Sequence, residues 1–187
     1  MTQTHDRLIH LLKVQPDSTE IQGLVSTLEQ EQPADLSVNG SLLRGVWELR
    51  WSSSRQPWLR QAPWLENLQI LDPDKGRGRN CLKLAGPLGS IASIQVEANL
   101  EKVSDKRVEV RFQRGGWRGP KLGRFRLQLM REVNQSFPAW LDITVLDQEL
   151  RICRGNAGTT FCLLRKTDQS VDDYFPTQSN QQAESNT

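Results

Sequence analysis

The chain has 187 residues, of which 36% are hydrophobic and 25% are charged, and its formal net charge at pH 7 is +2. This length fits one domain with short flanking elements, and no apolar run approaches the roughly 18 residues of a membrane-spanning helix. The small net charge gives no reason to expect nucleic acid as a partner, because phosphate chains are bound by several lysines or arginines on one face. The three scattered cysteines, Cys81, Cys153 and Cys162, exclude a disulfide framework and fit a reducing compartment.

The first residues predict two short amphipathic helices. Apolar side chains recur at helical spacing within residues 5–13 and again within residues 17–31, and Pro33 prevents the second helix from continuing far. We expect a helical segment, residues 1–36, that packs on the rest of the chain. It lacks the basic head and apolar run of a secretion signal, and Asp6 and Asp17 are unusual in a transit peptide. The expected location is the cytoplasm or the periphery of a membrane, unless processing has removed a leader.

The apolar period then changes to two, which is typical of half-buried strands. Nine strand candidates follow one another, with links too short for crossover helices, and this favours an antiparallel meander. The candidates lie near residues 43–51, 67–71, 80–85, 94–100, 108–112, 125–129, 140–146, 149–154 and 160–165. One buried face per strand favours closure of residues 37–166 into a β-barrel, with a two-sheet sandwich as the alternative.

Two further stretches flank or interrupt these strands. After Lys166 the sequence is polar and poor in aliphatic residues, so residues 167–187 are expected to form a disordered tail, with Tyr174 and Phe175 as its anchor. Before the second strand, Trp58 and Trp64 lie in a proline-broken segment. They are expected to form a lid over the barrel mouth or to plug its end.

The chain offers no recognisable catalytic constellation. Its two histidines, His5 and His10, belong to the first helix, where we expect both on the surface and far from any nucleophile. The cysteines have no metal-ligand spacing, and the glycine clusters after strands open no helix, so no metal, phosphate loop or cofactor is expected. The acids Asp147 and Glu149 bracket a tight turn, where acids are common. The sequence therefore predicts a protein that is not an enzyme.

Asp142 is the acid with a different setting. It shares strand parity with Thr144, and a hairpin centred between Leu146 and Asp147 would place it across from Arg151. We therefore expect a cross-strand ion pair between Asp142 and Arg151. The pair would act as a structural bridge at the barrel rim or as a polar anchor for a ligand head group.

Residues 111–131 form the one focused positive feature, with seven basic residues and no acid. Trp117 lies at the glycine-rich tip between two strands, and such a combination is typical of contact with anionic lipid head groups. The rivals are a plain solvated hairpin and binding to nucleic acid, which the lack of a recognition helix or of an RNP-like pattern disfavours. The candidate membrane contacts are Arg114, Trp117, Arg118 and Lys121.

Two motifs bring a family resemblance. The strand start LRGVWEL, from Leu43, and the segment WLDITVLDQELRICRGNAGTTFCLLRK, from Trp140 to Lys166, resemble the plastid-lipid-associated proteins, also called fibrillins or plastoglobulins. The resemblance spans roughly residues 5–166. Its matched signature positions are Gly45, Trp47, Asp142, Leu146, Asp147, Leu150, Arg151, Arg154, Gly155, Gly158 and Phe161. Val145 departs from the pattern, where an aromatic residue is common.

The resemblance implies a lipocalin-like barrel at thylakoids or lipid bodies, with a role in lipid or prenylquinone handling and stress protection. The absence of a long N-terminal transit segment indicates a cyanobacterial-type member. We therefore expect a non-catalytic protein that binds or shields a prenylquinone, a carotenoid or a lipid at the thylakoid surface. The expected ligand-binding residues are Trp47, Trp51, Phe112, Phe125, Asp142, Arg151 and Phe161.

Two other functions remain open from the sequence. A barrel filled by its own large side chains would instead act as a scaffold that recruits a partner enzyme of quinone or lipid metabolism. A lipocalin-like bilin lyase is the enzymatic alternative, and the motif from Trp140 to Lys166 argues against it.

Overall fold

The computed structural model describes residues 2–54, 64–86, 92–122, 125–133 and 139–175. Two helices lead the chain, α1 (Gln3–Val14) and α2 (Ile21–Glu31), followed by the short α3 (Leu36–Asn39) and a 3₁₀ helix (Gly40–Leu43). Nine strands follow. They are β1 (Gly45–Ser52), β2 (Leu65–Asp72), β3 (Arg77–Leu84), β4 (Ser93–Lys102), β5 (Arg107–Leu122), β6 (Phe125–Glu132), β7 (Ala139–Leu146), β8 (Leu150–Gly155) and β9 (Thr160–Arg165).

Eight of the nine strands close into an antiparallel ring. The neighbours run in the order β4, β3, β2, β1, β9, β8, β7 and β5, and a β4–β5 pairing completes the circle. Strand β5 has 16 residues. Its first part pairs with β7 and its later part pairs with β6, so β6 continues the wall beyond the place where β7 begins. The predicted mainly-β, antiparallel fold is confirmed, and the ring is consistent with the lipocalin-like architecture that the resemblance implied.

Helices α1 and α2 cover one outer side of the ring. The apolar faces of the two helices, with Leu8, Leu12 and Val25 fully or almost fully buried, pack on outward side chains of β8 and β9 such as Ile152 and Cys162. This burial gives the helices most of their stability, because isolated helices of this length are marginal in water. Helix α2 begins at Ile21, later than the expected residue 17, and Ile21 N donates to Ser18 O in the preceding turn.

His5 differs from its expected place on the helix surface. Its side chain is fully buried, and Nε2 lies 2.8 Å from Asp147 Oδ2, in the turn between β7 and β8. The prediction of a surface position is wrong because the helix period shows which face is apolar but does not show that a distant acid meets that face. His10, by contrast, is exposed.

The chain after Lys166 packs on the ring as far as it is described. Val171 and Phe175 are buried with Val46, Leu68 and Ile70 on the outer face of β1 and β2, and the Arg77 guanidinium lies 4.4 Å from the Phe175 ring centroid. The expected disorder is therefore wrong for residues 167–175, where a few apolar side chains are enough to hold the segment. Residues 176–187 of the expected tail lie outside the described residues.

One end of the ring is closed by the segment before β1. Leu36 and Leu43 pack there with Trp47, Ile143 and Leu163 in an apolar cluster that fills the base. Trp47 is fully buried and donates from Nε1 to Leu43 O at 3.0 Å. The base thus forms a solid floor, and the cavity lies between this floor and the opposite end of the ring.

Arg165 fixes the chain beneath this floor. Its guanidinium lies 4.2 Å from the Trp47 ring centroid and donates to the carbonyl oxygens of Gln148, Arg44 and Leu42. Gly45 makes room for it, since a Cβ at position 45 would overlap Arg165 Nη1. The Gly-x-Trp pattern therefore has a packing reason on this chain.

We expect Gly45→Ala to lower the free energy of unfolding by about 1–3 kcal/mol, because the new methyl group displaces Arg165 from its carbonyl partners. Denaturant unfolding measures the change. Gly23→Ala is the matched control, since nothing lies within 4 Å of a Cβ at that position of α2, and alanine favours a helix interior by about 0.5–1 kcal/mol. Equal stability of Gly45→Ala and the wild type would contradict the packing role.

Candidate functional site

The interior of the ring holds a cavity of about 410 Å³ above the Trp47 floor. This volume falls in the range of about 300–1,000 Å³ that is usual for small-molecule sites. Most of the wall is apolar and comes from the inward positions of seven strands. These residues include Leu49, Leu71, Leu82, Val96, Ala98, Leu100, Val108, Val110, Phe112, Leu141, Ile143 and Phe161.

A small set of polar side chains interrupts this wall. Asn67 and Gln69 of β2, Asn80 of β3 and Arg151 of β8 also line the cavity. Gln69 pairs across the strands with Asn80, and it accepts a hydrogen bond from Arg151 Nη2. An apolar cavity with a few converging polar groups is the usual form of a site that binds and orients one small molecule.

Two charged residues line the cavity, Arg79, which is paired with Glu97, and Arg151, which is fully buried. Its Nε and Nη1 have no hydrogen-bond partner among the described residues. Burial lowers the pKa of Arg151 to about 10, with smaller effects from Cys153, which raises it, and from the nearby Arg165, which lowers it. The guanidinium therefore stays positive at neutral pH, in a place where water does not solvate it.

Asp142 does not form the expected pair with Arg151. The register of β7 and β8 places Arg154 across from Asp142 and Leu146 across from Arg151, with a bulge between Ile143 and Val145. Asp142 projects from the outer face of the ring and is held by Arg107, with Nε–Oδ1 and Nη2–Oδ2 distances of 2.6 and 2.8 Å. The prediction of the ion pair is wrong because a three-residue turn and a bulge change a register that sequence parity treats as continuous.

The bulge also turns Val145 outward, beneath the helices. The residues of the motif therefore make different kinds of contact. Asp147 Oδ1 accepts from the backbone nitrogens of Glu149 and Leu150, both at 2.8 Å, while its Oδ2 meets His5. Arg154 projects outward and binds Glu29 of α2 at 2.9 and 2.6 Å. These two signature residues therefore clamp α1 and α2 to the ring, whereas Arg151, Gly155 and Phe161 line the cavity.

The expected aromatic ligand contacts divide in the same way. Phe112 and Phe161 line the cavity, and Trp47 lies in the floor beneath it. Trp51 lies outside, packed against the helices, because a bulge between Leu49 and Trp51 reverses the strand parity. The side chain of Phe125 lies outside the described part of the chain. Inner placement of Trp51 was wrong for the same reason as the Asp142 pairing.

An apolar row lies at the end of the ring opposite the base. Ile94 of β4 lies directly across from Trp117 of β5, which lies across from Leu129 of β6. These three side chains share the face that lines the cavity and are 53, 42 and 58% exposed. We call Ile94, Trp117 and Leu129, together with the exposed Leu127 on the same face of β6, the mouth row. The sequence analysis indicated Trp117 but not the row, because the row exists only through the pairing of three strands.

The candidate membrane contacts do not share one face. Arg114 and Arg118 differ in parity from Trp117 and lie on the outer side of the hairpin. Arg114 Nη2 is 2.8 Å from Glu97 Oε2, so part of its charge is compensated. The side chain of Lys121 lies outside the described residues. Trp64 is 64% exposed and does not plug the ring, while Trp58 lies outside the described residues.

Within the described residues, no helix is long and apolar enough to cross a membrane. Across the same ranges, no group of three or more histidine, cysteine or acidic side chains is placed to hold a metal ion.

Comparison with known proteins adds the family to this geometry. The family model described as PAP_fibrillin matches residues 11–164. The chain belongs to the PAP_fibrillin family. The matched range begins within α1 and ends in β9, so it includes the clamped helices, the ring and the cavity.

Two proteins to which the chain is similar come from plants. The probable plastid-lipid-associated protein 2, chloroplastic, of Arabidopsis thaliana is 28% identical, with 79% of this chain and 63% of the relative covered. The light-induced protein, chloroplastic, of Solanum tuberosum is 27% identical, with 79 and 60% covered. This PAP_fibrillin chain thus spans about three-fifths of the length of its curated relatives. No solved structure matches it significantly.

The clamp between Arg154 and Glu29 makes a pH-dependent prediction. Burial raises the pKa of Glu29, but hydrogen bonds from Arg154 and Thr144 and the charge of Arg154 outweigh it, so the pKa is lowered overall. A carboxyl group of this kind stabilises the fold above its unfolded pKa of about 4.3 and loses that effect as pH falls through the folded value. We expect Glu29→Gln to lower the free energy of unfolding by about 1 kcal/mol at pH 7.

The difference between Glu29→Gln and the wild type should shrink as pH falls below about 4. Thermal or denaturant unfolding at a series of pH values measures it. Glu31→Gln, at the exposed end of the same helix, is the control and should change stability by less than about 0.5 kcal/mol. A Glu29→Gln difference that does not vary with pH would show that the carboxylate charge is not what holds α2.

Proposed function

We propose that this protein binds one apolar or amphipathic molecule, of the prenylquinone, carotenoid or lipid class, inside its ring, and that it does so without catalysing a reaction. The observation that carries the proposal is the largely apolar cavity of about 410 Å³. Burial of apolar surface contributes about 25 cal/mol per Å² removed from water, so such a wall favours a ligand that is mostly hydrocarbon. The relatives named as plastid-lipid-associated proteins support a role in association with lipid.

The cavity favours this carrier over a scaffold with a filled interior. Large side chains fill the base around Trp47 and Leu163, but the wall above the base ends in short or slender residues such as Ala98, Val108 and Val110, which leave space. A recruited partner enzyme of quinone or lipid metabolism would then act on the bound molecule. The same chain would hold the ligand and present it.

We further propose that the end of the ring opposite the base meets the thylakoid membrane surface. The mouth row is exposed and continuous with the cavity wall, so a molecule could pass between a lipid surface and the interior along apolar contacts. Arg114 and Arg118 flank the row from the outer face of the hairpin, and arginine side chains are long enough to reach lipid phosphates while neighbouring apolar groups enter the interface. The mouth row would insert into the apolar part of the lipid interface, and the arginines would attract anionic lipids.

Filling the cavity should abolish ligand binding. Ala98 is almost fully buried on the cavity wall, and Ala98→Trp would occupy part of the space. We expect the affinity for a prenylquinone or a carotenoid, measured by calorimetry and by native mass spectrometry, to fall by at least about tenfold. Glu101→Trp adds the same side chain to an exposed position on the same strand and should bind as the wild type does.

The two variants also separate the rival functions. If the wild type shows no saturable binding of any apolar molecule and no lipid is found with the purified protein, the carrier proposal fails and the scaffold is favoured. If both tryptophan variants bind equally well, the ligand lies somewhere other than in the ring.

The mouth row should govern attachment to membranes. We expect the double variant Leu127→Glu and Leu129→Glu to reduce co-sedimentation with vesicles that contain anionic lipid by at least about tenfold, because it puts two charges at the apolar interface. Val38→Glu is the control, since Val38 is 75% exposed on α3, at the closed base of the ring. Raising the salt concentration should weaken the attraction of the wild type through screening of the arginines. Equal effects of the double variant and of Val38→Glu would refute the proposed orientation.

A further inference from the structure

Arg151 is unusual among the arginines of the ring. Arg107, Arg154 and Arg79 each contact a carboxylate at 2.6–2.9 Å. All three have a partly exposed side chain. Arg151 is fully buried, and the partner that the structure gives it is the neutral amide oxygen of Gln69. Of these four arginines, the most deeply buried one is therefore the one whose partner is uncharged.

Two donor atoms of Arg151, Nε and Nη1, are enclosed without a partner, and a ligand reaches them only when the packing around the guanidinium opens toward the cavity. A guanidinium carries five N–H groups, and Nε and Nη1 hold three of them. Neither atom has a hydrogen-bond partner among the described residues. An unpaired charge in the interior is strongly unfavourable, whereas a bound anion would form a strong charge-assisted interaction with it.

The surroundings of Arg151 hold it in place for such an anion. Its guanidinium lies 5.1 Å from the Trp47 ring centroid, and Gln69 accepts from Nη2, so the side chain is supported from the floor and from one side. Arg165 lies 4.2 Å from the same ring and adds a second positive charge beneath the floor. Positive potential therefore gathers at the closed end of an otherwise apolar cavity.

We propose that the cavity selects a single-chain lipid with a carboxylate head group, of the fatty-acid class, which enters head first. The carboxylate accepts a charge-assisted hydrogen bond from Nη1 of Arg151, because Gln69 already occupies Nη2 and with it part of the fork that Nη2 forms with Nε. The hydrocarbon chain lies along Val110, Phe112 and Phe161 and points to the mouth row. This inference rests on the proposed function, since it needs the ring to hold a ligand.

The size of the cavity agrees with this class. About 410 Å³ lies near the lower end of the usual range for small-molecule sites, so it suits one slender chain better than a branched or multi-ring molecule. A quinone offers carbonyl oxygens in place of a carboxylate, and those are neutral acceptors. A neutral head group would leave the charge of Arg151 without compensation.

The test compares lipids that differ only in the charge of the head group. The delipidated full-length wild type is titrated by calorimetry with palmitic acid, with its methyl ester and with a short-chain prenylquinone. We expect the acid to bind at least about tenfold more tightly than the ester. Arg151→Met should remove this preference by weakening the acid alone, and Arg111→Met, which removes an arginine that is 62% exposed on the outer face, should keep it.

A stability measurement separates a ligand role from a structural one. Without ligand, Arg151→Met should unfold at the same temperature as the wild type or at a higher one, because it removes an uncompensated buried charge. Addition of palmitic acid should raise the unfolding temperature of the wild type and leave that of Arg151→Met almost unchanged. Gln69→Leu gives a second variant should Arg151→Met fail to fold, and it should lower the preference for the acid by loosening the guanidinium.

The outcomes are distinct for the two proposals. Equal binding of acid, ester and quinone by the wild type would overturn the head-group inference and leave the carrier intact. Binding of none of them would overturn the carrier itself. A large loss of stability in ligand-free Arg151→Met, with acid and ester affected alike, would show that Arg151 is part of the floor and not a receptor for an anion.

Discussion

The contact between the Trp47 ring and two guanidinium groups is the constraint on which the rest of the fold depends. Arg165 packs on the Trp47 indole and donates hydrogen bonds to three backbone carbonyl oxygens, which fixes the segment that closes the base of the sheet. Arg151 lies above it and faces the cavity. Cation–π contacts contribute about 0.5–2 kcal/mol each, so the floor is stabilised by the same charge that makes the cavity selective. A glycine at position 45 is the steric condition for this arrangement.

The family motif separates into clamps and a receptor when its side chains are followed in space. Asp147 and Arg154 project outward and hold the two leading helices, while Arg151 of the same hairpin projects inward. Because side chains alternate in direction along β8, the same strand holds α2 through Arg154 and faces the interior with Arg151. This accounts for a dense motif in a protein for which no catalytic role is proposed.

Much of the fold follows from the sequence, since period-two alternation in nine segments with short links leaves few arrangements other than an antiparallel sheet. The site is harder to predict. Bulges near Trp51 and Thr144 each shift the parity by one residue, which moves Trp51 outside the ring and separates Asp142 from Arg151. Burial of His5 depends on an acid 142 positions away. Such contacts are set by three-dimensional register, which single-sequence patterns do not contain.

The length of β5 makes the ring unequal in height. Because its later half pairs with β6 beyond the start of β7, one wall rises above the rim and carries apolar side chains on the cavity face. A molecule that leaves along this wall keeps one side dry for the whole path. On the proposed function, the raised wall would therefore divide the cost of hydrating a long hydrocarbon into small steps as the molecule leaves the ring.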